Sequence, residues 1–173
     1  VEFGRLGDVA KLQRGTSITK KDIEGGNIPV VAGGRQPAYY HNKSNREGET
    51  IVIAGSGVYA GFVSYWTQPI FVSDAFSIKV NKRVLLARYT FHFLKSRQYV
   101  LHSLKRGGGV PHVYTKDVAP IRVPIPPLEV QRGIVKILDT FTELEAELEA
   151  ELEVRRQQYE HYRDRLFSFR ETA

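Results

Sequence analysis

The chain has 173 residues, 42% of them hydrophobic, with 25 Lys and Arg against 19 Asp and Glu, a formal charge of +6. That length holds one domain of moderate size and an appendage. Cys is absent, which excludes disulfides and thiolate metal sites, and no apolar run approaches the ~20 residues of a membrane span.

Val1-Glu2-Phe3 has neither the basic start nor the apolar core of a signal peptide. The lack of any Met reads as a trimmed or edited chain. A cytoplasmic protein with no membrane association is the expectation. Residues 4–13 place Leu6, Val9, Ala10 and Leu12 at near-helical spacing, with Asp8 as a cap, and predict a single turn leading into a strand. Arg14 to Lys21 follow as a polar, basic loop. Ile28 to Ala32 is a short apolar run stopped by Gly33-Gly34, and Arg35 to Lys43 is rich in aromatics and cations.

Ile51 to Ala54 reads as a buried strand and Gly55-Ser56-Gly57 as a turn. Val58 to Trp66 predicts a second strand, in which Gly61 marks a bulge or a close approach. Gln68-Pro69 turns the chain into Ile70 to Val72, Ser73-Asp74 breaks that run, and Ala75 to Val80 alternates as a further strand. Arg83 to Leu104 predicts one helix burying Leu85, Leu86, Tyr89, Phe93, Val100, Leu101 and Leu104. Gly107-Gly108-Gly109 ends it in a flexible loop. Val110 to Tyr114 is extended, Thr115 to Val118 caps a turn, and Ile121 to Ile125 is the last strand. The fold class is α+β: a mixed or mainly antiparallel sheet over residues 1–127, then a long helix over 128–173.

The helix starts at Pro126-Pro127-Leu128-Glu129. Proline fixes φ and lacks a donor, so it suits an extended segment and a first helical turn. From there Pro is absent and Gly133 is the sole glycine. Ile134, Phe141, Leu148, Arg155, Tyr162 and Phe169 recur every seventh residue, beside Ile137, Leu138, Leu144, Leu152, Tyr159 and Leu166. The second row drifts along the helix, so this is not a strict heptad seam. Helix from Leu128 to Arg170 spans roughly 60 Å at 1.5 Å per residue. Its stripe needs a partner of like length, which favours a second copy or another subunit over a helix folded on its own globular part.

Charge divides at the same place. Residues 1–127 hold 18 Lys and Arg against 8 Asp and Glu, a formal +10; residues 128–173 hold 7 against 11, a formal −4. A basic globular part points to a polyanion, and nucleic acid is the favoured one.

Chemistry-bearing motifs are missing. Gly55-Ser56-Gly57 lacks the spacing of a nucleophile elbow. His41, His92, His102, His112 and His161 show no metal-ligand pairing, and Asp74 reads as a turn acid. The triple glycine has no Gly-Lys-Ser/Thr of a phosphate-binding loop. No dinucleotide fingerprint and no Asn-Pro-Pro-Tyr tetrapeptide of methyltransferases is present. Binding rather than catalysis is expected, with no cofactor and no metal. Nucleic acid needs cations for phosphate and forked or amide donors for base edges. The candidates are Arg14, Lys20, Lys21, Arg35, Gln36, Lys43, Arg46, Arg106, His112 and Lys116, with Tyr39, Tyr40, Ser56 and Tyr59 as neutral donors. The loop from Lys105 to His112 is the best single piece, two cations before three glycines.

Four passages resemble the DNA-specificity subunit of type I restriction-modification systems. They are Leu6-Gly7-Asp8-Val9; Ile53-Ala54-Gly55-Ser56-Gly57 with Ser73-Asp74-Ala75; Val113-Tyr114-Thr115-Lys116-Asp117-Val118 leading to Val123-Pro124-Ile125-Pro126-Pro127-Leu128-Glu129-Val130-Gln131; and the long charged helix. The resemblance implies a target-recognition domain and a spacer helix. It also implies double-stranded DNA as ligand, with methyltransferase and restriction subunits as partners that bring S-adenosylmethionine and ATP. The resemblance implies two such domains and two helices packed antiparallel; this chain has one of each, so a half-subunit or a fragment is the expectation. A homodimer through antiparallel helices is expected, using Ile134, Ile137, Leu138, Phe141, Leu144, Leu148, Leu152, Tyr159, Tyr162, Leu166 and Phe169. The alternatives are a recognition fragment of a fused restriction-methyltransferase enzyme and a coiled-coil interaction protein with no DNA role.

Overall fold

The computed structural model describes residues 1–22 and 24–169, without the side chain of Lys20. The chain divides into two units, residues 1–135 and residue 136 onward. In the first, β1 (Glu2–Arg5), α1 (Leu6–Val9) and β2 (Ala10–Arg14) bear out the turn leading into a strand. Asp8 is not its cap: Arg5 holds that position, with no side-chain capping bond. β3 (Ile28–Val31), β4 (Tyr39–His41), β5 (Thr50–Ala54), β6 (Val63–Trp66), β7 (Phe71–Val72) and β8 (Ala75–Val80) follow. Then come α2 (Ala87–Ser96), α3 (Gln98–Ser103), the short α4 (Thr115–Val118), β9 (Arg122–Ile125) and α5 (Leu128–Leu166).

Three sheets form. β2-β8-β5-β6 is antiparallel throughout. In β4-β3-β7 the β3–β4 pair is antiparallel and the β3–β7 pair parallel. β1 pairs antiparallel with β9. β5 shows why its sequence is a continuous apolar run. Successive side chains face opposite ways, and Ile51 and Ile53 enter the larger core with Leu6, Phe76, Ile78, Leu94 and Leu101. Val52 enters a smaller core with Val31, Ile70, Val72 and Ala75. A strand covered on both faces has no polar alternation to show.

Two expectations are corrected. Val58 to Trp66 is not one strand. Gly57 and Gly61 take φ of 81° and 84°, turning the chain over residues 57–62 before β6 begins at Val63. A Cβ on Gly61 would lie 2.7 Å from the Leu101 carbonyl oxygen, so glycine is required for close approach as well as for backbone conformation. The Gln98 carboxamide then stitches the turn to α3: Val63 N–H donates to its oxygen at 3.1 Å and its nitrogen donates to Gly61 O at 2.7 Å.

Likewise, Arg83 to Leu104 is not one helix. It breaks at Arg97, at φ −101° and ψ 17°, and starts only at Ala87. Val100 is exposed, while Thr90 and Leu94, absent from the expected face, are fully buried. The late start has a definite cause. Gln131, 0% exposed on the first turns of α5, accepts from Leu86 N–H at 2.9 Å and donates to Val84 O and Pro126 O, each at 2.8 Å. The backbone groups that would carry α2 further towards its start are held by this side chain instead. Tyr89 OH adds a bond to Pro124 O at 3.1 Å, and burial raises its phenol pKa.

Ile134 and Val135 also pack against the larger core, so Ile134 belongs to the first unit rather than to an open stripe. In the second unit Ile137, Leu138, Phe141, Leu144, Leu148, Leu152, Tyr159, Tyr162 and Leu166 are all exposed. The helix ends at Leu166, so Phe169 lies past it; Arg170, the expected end, falls outside the described residues.

Gln131→Leu keeps the volume but leaves one buried N–H and two carbonyls without their partner. The expected cost is on the order of 3 kcal/mol, read as a lower urea midpoint at unchanged m. Gln131→Glu removes both donated bonds and should cost at least as much.

Candidate nucleic-acid interface

Ser56 is where three loops meet. It forms an isolated antiparallel bridge with His112, and Gly57 N–H donates to Pro111 O at 2.9 Å. Gly33 rests on it so closely that a Cβ there would lie 2.5 Å from Ser56 O. Its hydroxyl donates to the Asp74 carboxylate, so the acid read from the sequence as a turn residue also ties β7–β8 to this junction. Loops 33–35, 55–59 and 105–112 are thereby brought onto one patch. Arg35 lies over the Tyr59 ring at 4.9 Å, and Lys105 Nζ donates to Val58 O at 2.7 Å.

The glycine loop is a pinned hairpin. Arg106 N–H donates to His112 O at 2.9 Å and His112 N–H returns a bond to Arg106 O at 2.8 Å. Gly107 at φ 107° turns the chain at the neck. Arg106 Nη2 pairs with Asp117 Oδ1 at 2.8 Å. Beside this, the His112 ring stacks on Tyr114 at 6.0 Å, and Lys116 Nζ lies over the same ring at 5.6 Å. A cavity of about 60 Å³ sinks between these residues, lined by Arg14, Asp74, His112, Tyr114 and Thr115 among others. Arg14 reaches it because Gly15 N–H donates to Ala75 O at 2.8 Å.

Of the residues singled out from the sequence, the structure therefore gathers Arg14, Arg35, Ser56, Tyr59, Arg106, His112 and Lys116 around this junction. The rest lie elsewhere or are engaged differently. Tyr39 and Tyr40 are exposed on β4 and Gln36 on the connection before it. Lys43 is 3.9 Å from Glu24. Lys21 sits on a one-turn 3-10 helix, Lys20–Asp22, whose Asp22 accepts from the Thr19 hydroxyl at 2.6 Å and has a lowered pKa for that reason.

Arg46 holds structure together. Nε donates to Ser77 Oγ and Nη1 to Asn45 O, each at 2.7 Å, and Nη2 donates to Arg14 O at 3.0 Å. Burial lowers the pKa of its guanidinium. Composition could not separate this internal fork from a free cation. Asp117 and Tyr114 were missed as site residues because each lies in a stretch read for its turn and strand. Among the described residues no group of His, Asp and Glu could hold a metal ion, and no helix is long and apolar enough to cross a membrane.

The family described as "Type I restriction modification DNA specificity domain" matches residues 1–154. The chain belongs to this family. The specificity subunit of Escherichia coli EcoR124I/EcoR124II is 38% identical over 91 residues, covering 49% of this chain and 22% of that protein. The MpnII specificity subunit of Mycoplasma pneumoniae is 30% identical over 185 residues, covering 97% of this chain and 53% of that protein. The crystal structure of the type I restriction-modification S subunit from M. genitalium has the same fold, at a TM-score of 0.77 and 21% identity, over 98% of this chain and 46% of that one. The chain thus spans about half the length of the specificity subunits it matches end to end. Both the junction around Ser56 and the Gln131 latch lie inside the family match.

Arg46→Ala removes a fork of hydrogen bonds from a charged donor, so a loss of about 1.5–3 kcal/mol is expected in chemical denaturation. The same variant, while folded, should keep the parent's salt dependence of binding to double-stranded DNA.

Proposed function

We propose that the chain is a DNA-reading module of a type I restriction-modification complex, recognising one half of a bipartite target without catalysing a reaction itself. The observation that carries this reading is the Ser56 junction. In a unit of formal charge +10, three loops, the end of β2 and the start of α4 bring Arg14, Arg35, Lys105, Arg106 and Lys116 beside Tyr59, Tyr114 and His112. Cations of this kind neutralise phosphates and release counterions, and the aromatic and forked groups among them have the chemistry of base-edge contact. Membership of a family described as a DNA specificity domain supports the same reading.

Methylation and cleavage then belong to partner subunits, which bring S-adenosylmethionine and ATP. A related solved structure is titled for complex assembly and conformational transition of the type I restriction-modification system. The setting is the cytoplasm. The exposed stripe of α5, from Ile137 to Leu166, serves assembly and pairs two copies as antiparallel helices. Each side chain it buries contributes roughly 1.5–3 kcal/mol, so half a dozen from each of the two helices outweigh an association cost of about 4–15 kcal/mol. Antiparallel packing sets the Glu block of 143–153 opposite Arg155, Arg156, Arg163 and Arg165; parallel packing in register sets Glu beside Glu. A two-fold dimer reads two inverted half-sites.

Two experiments test these parts separately. Lys116→Glu should weaken binding to double-stranded DNA and flatten the slope of log K against log salt by about 0.9; an unchanged slope removes Lys116 from the interface. The double change Leu148→Asp and Leu152→Asp should give a folded monomer in sedimentation where the parent chain is a dimer. A parent chain that is monomeric across micromolar concentrations contradicts the pairing.

A further inference from the structure

We propose that Arg106 reads a guanine and that Asp117 is the positioning residue that aims it, an inference that rests on the DNA-reading function above. The Arg106 backbone is fixed on both sides by its paired bonds to His112 at 2.9 and 2.8 Å, and Gly107 turns the chain away directly after it. A Cβ built on Gly108 or Gly109 would meet open space, so the hairpin tip is not packed against the rest of the described residues at these two positions. The ion pair is lopsided. The Asp117 side chain is 9% exposed and the Arg106 side chain 64% exposed, so a buried carboxylate anchors one corner of a guanidinium that otherwise faces solvent.

Two features separate a reader from a latch or a phosphate clamp. A latch built for stability takes the two-bond fork that Arg and carboxylate favour. Here Nη2 alone is engaged, and Asp117 Oδ2 is buried with no hydrogen-bond partner among the described residues. A phosphate clamp works by net charge, and a carboxylate 2.8 Å away offsets much of that charge. What the pairing preserves is direction. Nη2 carries two N–H groups, so its one bond to Asp117 leaves an edge of the guanidinium, shared with Nη1 or with Nε, that keeps two parallel N–H groups, the pattern that matches guanine O6 and N7 in the major groove. Phosphate attraction is left to Lys105, Lys116 and Arg35, whose cationic groups have no carboxylate partner among the described contacts.

The test is selection of bound duplexes from a double-stranded DNA library randomised over the target, carried out with the full chain and with Arg106→Ala, Arg106→Lys, Asp117→Asn and Lys116→Ala. The parent should select a motif with at least one G·C pair. Both Arg106 variants should lose preference at one G·C position, by about tenfold or more, and keep it elsewhere. Arg106→Lys fails because a point charge does not reproduce the fork. Asp117→Asn should blur the same position with its circular dichroism unchanged; if that variant does not fold, the Arg106 pair decides. Lys116→Ala should lower affinity for all sequences and leave the motif intact. Three results overturn the inference: a motif unchanged in Arg106→Ala, a uniform loss across all sequences in that variant, or full preference in Arg106→Lys. Preference unchanged in folded Asp117→Asn overturns the role of Asp117. A parent chain that selects no motif overturns the DNA-reading function itself.

Discussion

Three hydrogen bonds from one buried carboxamide set the frame of the first unit. Gln131 takes the Leu86 N–H and the Val84 and Pro126 carbonyls, joining the first turns of α5, the proline segment after β9 and the entry to α2. Each of those backbone groups lies where regular structure stops: before α2 starts, or where prolines lack a donor. Buried backbone groups must be paired, and a side chain with both a donor and an acceptor can pair three of them from one position. The Pro-Pro-Leu-Glu-Val-Gln run thus has a physical reason: prolines free the carbonyl, and the helix they launch delivers the glutamine that satisfies it.

The Ser56 junction depends on the same economy of backbone pairing at closer quarters. Gly33 allows one loop to rest on Ser56 O, Gly57 bonds to Pro111, and Arg106 and His112 bond to each other. Loops drawn from separate parts of the sequence become one surface held on a rigid sheet. Contacts between loops and a scaffold of this kind allow side chains to differ without moving the frame, which suits a module that reads sequence.

Much of the fold was legible because it rests on local patterns. β5 and β8 are apolar runs between turn residues, and the turn leading into β2 shows in Leu6, Val9 and Leu12. The start of α5 shows in its prolines. What was not legible depends on tertiary partners. The start at Ala87 follows from what Gln131 binds, and propensity encodes neither that nor the break at Arg97. For the site, positive charge in loops was visible, and seven of the residues singled out meet at one junction. Charge alone could not tell Arg46, whose fork is occupied by Ser77, Asn45 and Arg14, from Lys116, whose ammonium faces only a ring. Nor could the heptad-like row separate Ile134, packed on the core, from Phe141, which is exposed.

The role proposed for this chain is to read half-sites in pairs. Hydroxyl-radical footprinting of the full chain on a duplex it binds tests that directly. Two protected patches in inverted orientation, separated by a gap of constant length that stays open to cleavage, are the predicted result. One continuous protected patch, or protection that moves freely along the duplex, would contradict it.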